Sequence, residues 1–318
     1  MIGFLIRRVV QAIIVIVGVI LITFLLSKLI PGGEARLVLG PRATPVSIAE
    51  FNKVNGLDRG FFDQFWNYIK GIVSHFNLGY SFKYNEGVTQ LIFQKLPKTL
   101  ALVGISTLVA LVIAIPLGIL QVVRRNHFVD YATTGLSFFF YAMPSFLLGT
   151  LLILWFSLDL KWFPVSPPIG SGGWTIFTDP RAFVLPVITL AAITIAAFSR
   201  YMRSSMMDAM TEDYVRTARA KGASKNRVLY GHALRNALIP IITLVGLSLP
   251  AIVSGALITE TVFNYPGMGL LTVNSALNDD VNVVLGTTLV VTIATVLGSL
   301  IADILYALAD PRIRLGGG

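Results

Sequence analysis

The sequence predicts an all-α membrane protein of six spans, with a soluble-looking insertion between the first span and the second. Three observations lead there. The 318 residues are 55% hydrophobic and 13% charged, with a mean hydropathy of +0.76, too apolar for a soluble domain. Six apolar runs recur, each near the roughly 20 residues needed to cross the hydrocarbon of a bilayer. The basic residues crowd the ends of those runs that would share one side.

The first run, Val9 to Ile30, follows Arg7 and Arg8 and is interrupted by polar residues such as Gln11 and Lys28. It is longer than a signal-peptide core and has no small-x-small cleavage site after Pro31, so a retained span with a cytoplasmic N-terminus is expected. The second, Thr99 to Val123, ends at Arg124-Arg125-Asn126-His127. Tyr131–Leu158, Phe183–Phe198, Ala237–Ile258 and Val281–Leu308 follow, the last before Asp310-Pro311-Arg312-Ile313-Arg314. Six spans put both termini in the cytoplasm.

The charges agree with that topology. The expected cytoplasmic pieces hold Arg7, Arg8, Arg124, Arg125, Arg200, Arg203, Arg216, Arg219, Lys221, Lys225, Arg227, Arg235, Arg312 and Arg314. The two short external loops hold only Lys161 and Arg181, and the loop before the last span carries Glu260, Asp279 and Asp280 without a base. A formal charge of +9 could suggest nucleic acid, but in so apolar a chain cytoplasmic loops account for it. With no cysteine there is no disulfide, thiol nucleophile or Cys-ligated metal.

Residues 31–98 read as a packed extracytoplasmic insertion, too short for an independent enzyme. Thr44-Pro45 looks like an N-cap with proline in the first turn, and Asn55-Gly56 like a helix end. Phe61–Phe76 carries Phe62, Phe65 and Tyr68 at helical spacing, which predicts a helix lying against the membrane surface or another chain. Pro116, Pro144, Pro186, Pro240 and Pro250 interrupt spans and free carbonyls, as in a bundle that kinks around a cavity or in one with static kinks. Asp303, near the end of the last span, is expected to pair with an arginine or reach the headgroups.

Between the fourth and fifth runs lies the most basic stretch, Tyr214 to Pro240. Good helix formers run to Lys221, Gly222 can take the left-handed conformation that closes a helix, and Ser224 can cap a second one. The result is a small projecting corner suited to a groove on another protein. A solvated basic loop explains the charge but not the small-residue turn. A DNA-binding helix-turn-helix has a similar look, but the apolar spans stand too close on either side. Glu260–Gly269 reads as a turn, with Pro266-Gly267 fitting the central positions of type II.

Catalytic signatures are absent. There is no G-x-x-x-x-G-K-[ST] loop and no G-x-S-x-G elbow, and His75, His127 and His232 are too scattered to share a metal. A self-sufficient secondary carrier would show paired ionisable groups or repeated broken helices at mid-membrane, and the sequence shows neither.

The basic stretch resembles the cytoplasmic signature loop of ABC-importer permease subunits. Against the general pattern of Glu-Ala-Ala, three residues, then Gly, this chain has Arg216-Thr217-Ala218, three residues and Gly222. It is similar almost throughout to the version in the dipeptide/oligopeptide/nickel group, YVRTARAKG followed by HALRNALIP. Gly40–Pro45, Leu57–Arg59, Leu78–Phe82 and Leu96–Leu100 resemble that group's first external loop, and Glu260–Gly269 its ETVF-x-x-PG-x-G loop near the translocation path.

The resemblance implies the type I ABC-importer permease fold: a first span over 1–30, the insertion over 31–98, and a five-helix core over 99–318 with a coupling loop at about 208–236. It implies a multi-pass subunit of a prokaryotic inner membrane, the first of two permeases, in an importer of peptides. Its partners would be a second similar permease, two cytoplasmic ATPases, an extracytoplasmic solute-binding protein and membrane lipid, with no nucleic acid. No cofactor is implied in this chain, and ATP hydrolysis falls to the partners. Thr217, Ala218, Lys221, Gly222, Ala223 and Ser224 would couple to the ATPase, and Glu260, Phe263, Pro266 and Gly267 would belong to the translocation path or an external gate loop.

Overall fold

A computed structural model describes residues 2–29, 33–167, 179–254 and 256–309. Among them the chain is helical apart from one two-stranded antiparallel hairpin. Pro31, Asp310–Arg314 and the Asp303 side chain lie outside the described residues.

The first apolar run forms α1 (Ile2–Lys28), with much of its surface outward. The insertion then builds α2 (Gly33–Leu39), α3 (Pro45–Val54) and α4 (Phe61–His75). The Thr44 hydroxyl accepts the Ser47 N–H with Pro45 in the first turn, and Asn55 closes the helix, as the sequence predicts. The helix over 61–75 also forms, but its aromatics divide between two faces. Phe61, Phe65 and Tyr68 gather around Phe24 of α1, whereas Phe62 and Trp66 point outward, 81% and 67% exposed. Phe62 therefore does not share a face with Phe65 and Tyr68.

The hairpin pairs β1 (Tyr80–Ser81) with β2 (Glu86–Gly87) and leads directly into α5 (Val88–Val123). Residues 88–98, expected in the insertion, are the opening turns of this long helix, which runs through Pro97 and Pro116. The Ser81 hydroxyl donates to Asp280, and Asn282 donates to the Tyr80 carbonyl at 3.0 Å. These bonds pin the insertion to the start of the last span.

The third apolar run is broken rather than straight. α6 (Phe128–Ala142) and α7 (Ser145–Leu152, continuing as a π-turn over Ile153–Asp159) meet at 101°. Met143 is extended, with φ −75° and ψ 125°, because the ring of Pro144 disfavours helix in the residue before it. Among the described residues five helices are individually long and apolar enough to cross a membrane, and the bent pair makes a sixth if it counts as one span.

α8 (Arg181–Thr211) packs most closely on α5. A Cβ on Gly118 would stand 2.6 Å from the Met202 Cβ and 2.9 Å from the Ser199 carbonyl, so glycine sets how near the two helices come. Asp130 of α6 holds Arg203 of α8 at 3.0 Å and accepts the Asn126 N–H. After α9 (Asp213–Ala220) comes a continuous helix from Lys225, whose π-turn over Arg227–Ala233 enters α10 (Leu234–Ser254). The fifth run does not extend to Ile258, since a new helix, α11 (Leu257–Val262), begins there. α12 (Met268–Leu277) and α13 (Val281–Ala309) complete the chain.

A basic corner and a buried loop at opposite ends of one span

The corner and the gate loop flank the helix running from Lys225 to Ser254. At the corner, α9 ends with the Gly222 N–H bonded to the Arg219 carbonyl (3.0 Å) and the Ala223 N–H to the Ala218 carbonyl (3.1 Å). That pair of bonds is the Schellman closure, which needs a left-handed residue just past the cap, and Gly222 supplies it at φ 83°. The Ser224 carbonyl accepts the Val228 N–H at 2.9 Å and so starts the return helix. The hydroxyl expected to cap it makes no hydrogen bond among the described residues.

Beneath the turn, Val215, Ala218, Val228, Leu229 and Ala233 join Met202, Met206 and Ala209 of α8 in one buried cluster. The expected coupling residues therefore divide. Thr217, Lys221, Gly222 and Ser224 are exposed, whereas Ala218 is buried and the half-buried Ala223 packs beside it. Arg216, Arg219, Lys225 and Arg227 surround the tip, all exposed. Arg216 stands 3.5 Å from Asp213, an exposed contact worth a fraction of a kcal/mol, under about 0.5. An added Cβ at Gly222 would meet nothing within 4 Å.

The other end is closed in. α11 ends with the Asn264 N–H on the Thr261 carbonyl (3.2 Å) and the Tyr265 N–H on the Glu260 carbonyl (2.7 Å), with Asn264 left-handed at φ 47°. The expected type II turn does not form. Gly267 has φ −97°, and its N–H returns to the Tyr265 carbonyl at 2.8 Å, an inverse γ-turn about Pro266.

Glu260 is fully buried beneath this turn. Its carboxyl accepts the Thr99 hydroxyl at 2.8 Å and the Leu270 N–H at 3.0 Å, while the Thr99 oxygen accepts the Met268 N–H at 2.7 Å. Tyr265, also buried, donates to the Lys98 carbonyl at 2.8 Å. Burial pushes the Glu260 carboxyl above the usual carboxylate range, and the bonds from Leu270, Thr99 and Gly269 pull it partly back. Burial, then the Glu260 charge, raises the Tyr265 phenol in turn.

Glycines make room for this arrangement. A Cβ on Gly267 would lie 2.4 Å from the Thr99 oxygen, and one on Gly269 would lie 2.7 Å from the Leu257 Cα. Within this chain Glu260, Phe263 and Gly267 are thus buried anchors, and Pro266 is half-buried. Thr99, Tyr265 and Gly269 escaped the site reading. Tyr265 and Gly269 sit inside the recognised motif, but Thr99 lies 161 residues away and its partnership has no local signal.

A bundle of membrane-length helices with a basic corner at one end has the architecture of a polytopic membrane protein. The family described as binding-protein-dependent transport system inner membrane component matches residues 101–315, and its N-terminal counterpart matches residues 1–103. The chain belongs to this family of permease subunits. It is 37% identical over 316 residues to the oligopeptide transport system permease protein AppB of Bacillus subtilis (strain 168), covering 99% of this chain and 100% of the relative. It is also 37% identical over 334 residues to the di/tripeptide transport system permease protein DppB of Pseudomonas aeruginosa (strain UCBPP-PA14), covering 99% of each. The glutathione transport system permease protein GsiC of Salmonella choleraesuis (strain SC-B67) is 36% identical over 319 residues, again covering 99% of each. A multi-pass inner-membrane location follows, as do ATPase and binding-protein components as partners in general terms.

Proposed function

We propose that this chain is one of two permease subunits of an ATP-driven importer of peptides, with both termini and the Gly222 corner in the cytoplasm. The names of its relatives support the peptide substrate. The complement would be a second, similar permease, two ATPase subunits and an extracytoplasmic solute-binding protein. The observation that carries the coupling role is the Schellman corner itself: an exposed glycine turn rooted by Val215, Ala218 and Val228 in the buried cluster of α5 and α8.

Such a corner moves as a rigid body with the spans beneath it. Closure of the ATPase pair would carry Thr217, Lys221, Gly222 and Ser224 with it, Ala218 and Ala223 transmitting the displacement to the cluster. The return helix is continuous with α10, which makes it a lever. At the far end of that lever, the loop from Glu260 to Gly267 would move with α5 as one wedge, through Thr99. Nucleotide chemistry belongs to the partner chains, since this one has no phosphate-cradling loop.

The test is purification of the tagged chain in mild detergent. ATPase subunits, a second permease and a peptide-loaded binding protein are expected in the eluate. Stoichiometric ATP binding by the isolated chain, or peptide uptake by it alone in vesicles, would overturn the proposal.

A further inference from the structure

The helix α4 (Phe61–His75) carries three stripes, of which packing within the chain explains one. Phe61, Phe65, Tyr68 and Ile72 recur every three or four residues and face inward, onto Phe24 and the cluster around Ile20. Asp63, Asn67, Lys70 and Ser74 recur in the same way and form an exposed polar stripe. Between these two runs a third stripe, apolar and bare: Phe62, Trp66 and Val73, all strongly exposed. At about 3.6 residues per turn it stands a little over a quarter turn from the inward face. Large apolar groups aligned and exposed in this way mark a surface that something covers.

Three observations bear on what covers it. The first is depth. From Arg8 to Lys28, α1 has roughly the 20 residues that cross the hydrocarbon, and Phe24 lies one turn before its outer end. Phe61, Phe65 and Tyr68, spread over two turns of α4, all meet that single ring at 5.5, 5.6 and 5.9 Å between centroids. A helix that spends two turns on one residue crosses its neighbour instead of running beside it, so α4 lies in the plane of the interface.

The second is direction. On the flank opposite the bare stripe, Gln64 donates to the carbonyls of Leu57 (3.0 Å) and Arg59 (2.7 Å), so the loop between α3 and α4 is stacked on that side. The bare stripe is turned away from the insertion, back toward the spans. The third is continuity. Just past α4, Phe76 meets Phe93 of α5 at 6.2 Å, and both rings are exposed. Phe93 precedes Thr99, where the second apolar run begins, so the apolar surface continues to the outer end of the next span.

Extent decides between membrane and protein. Two aromatics and a valine offer about 400 Å², roughly half of the 800 Å² or so that a stable protein partner takes. A tryptophan and a phenylalanine at headgroup depth suit a lipid interface, where aromatic rings gather. We infer that α4 is a monotopic anchor, with Phe62, Trp66 and Val73 seated among the headgroups and upper acyl chains of the outer leaflet. Asp63, Asn67 and Ser74 then face water, and Lys70, at the border, reaches lipid phosphates. The inference rests on the outward placement of the insertion proposed above and is independent of the coupling role.

The chain has no cysteine, so a single introduced one carries a unique nitroxide. Phe62→Cys, Val73→Cys, Asn67→Cys and Ser74→Cys each alter an exposed position, and thermal unfolding should match the parent. The full chain, with the subunits that co-purify, is labelled and reconstituted in vesicles of phosphatidylethanolamine and phosphatidylglycerol. Relaxation by oxygen, which partitions into lipid, is compared with relaxation by a water-soluble nickel chelate. Oxygen should dominate at 62 and 73, and the preference should invert to nickel at 67 and 74. If Phe62→Cys unfolds, Val73→Cys decides. Nickel dominating at all four positions would show a solvated face and overturn the anchor. Exclusion of both relaxants at 62 and 73 would show a protein covering the stripe, and would also overturn it. A membrane-impermeant thiol reagent on whole cells tests the placement separately: Asn67→Cys should react without lysis. Reaction only after lysis would overturn the outward placement, and with it the outer leaflet, whatever the relaxation shows.

Discussion

Of the helix ends that close on this pair of backbone bonds, those at Gly222 and Asn264 have opposite surroundings. At Gly222 the left-handed residue is a glycine, exposed, with open space where a side chain would go. At Asn264 it is an asparagine between Phe263 and Tyr265, both almost wholly buried, with Glu260 enclosed one turn back. The same closure projects a tip in one place and anchors a loop in the other. Backbone geometry alone therefore does not decide which role a corner plays; the side chains beside it do. Small and basic residues keep the first corner wet and free, and aromatic residues with one carboxylate lock the second to α5.

The comparison is broken most severely at the locked end. Gly269→Ala would set a methyl 2.7 Å from the Leu257 Cα, and Gly267→Ala one 2.5 Å from a Glu260 carboxyl oxygen. Overpacking of this kind is expected to cost about 3 kcal/mol in each case. Thermal unfolding in detergent would read it, and unchanged melting would show that the loop is looser than its contacts imply.

Next in size is Glu260→Ala, which strands the Thr99 hydroxyl and the Leu270 N–H in a dry site. At about 1 kcal/mol for each orphan, the lower end of the usual range, a loss of about 2 kcal/mol is expected. The parent carries a pH signature as well. Burial raises this carboxyl above the ordinary value of 4.5, so the folded chain holds its proton at a pH where the unfolded chain has released it. Stability should therefore fall as pH rises from 4.5 through the raised value, and Glu260→Ala should lose that part of the slope. Identical pH profiles for the two proteins would remove the carboxyl from the account.

The free end should respond in function more than in folding. Gly222→Val strains a left-handed residue by about 1–2 kcal/mol without a clash, so insertion and packing should survive. Peptide uptake, measured with the partners at equal abundance, should drop at least tenfold while ATP hydrolysis escapes its coupling. Normal uptake would reduce the corner to a solvated loop. The smallest effect is expected from Arg227→Ala, whose exposed side chain makes no ion pair among the described residues; stability should stay within about 0.5 kcal/mol.

These two regions also mark where sequence reasoning works. The Gly222 corner was legible because its causes are local: helix formers, one glycine, then small residues within a few positions. Most spans were legible too, since hydropathy needs no tertiary knowledge. The Glu260 loop was legible as a motif but not as a structure. Pro266-Gly267 has the composition of a type II turn, yet the left-handed residue is Asn264, because the turn is dictated by fastening Tyr265 and Met268 to α5. Pro144 was visible as a kink, but the 101° between α6 and α7 depends on what α7 packs against, which no local pattern carries. Phe62 and Phe65 illustrate the same limit, since helical spacing places them near each other and only Phe24 decides which turns inward.

The π-turn over Arg227–Ala233 stands at the foot of the helix that joins the two ends. Its backbone bonds skip one residue more than those of an α-helix, so the winding there is slacker than in the span above it. Any tightening of those bonds to the α pattern turns the whole upper helix about its own long axis. Under the coupling proposed above, a thrust at Gly222 would leave the bundle partly as torsion, presenting a different stripe of α10 to whatever lies alongside. The lever would then carry, at its foot, the thread of a screw as well.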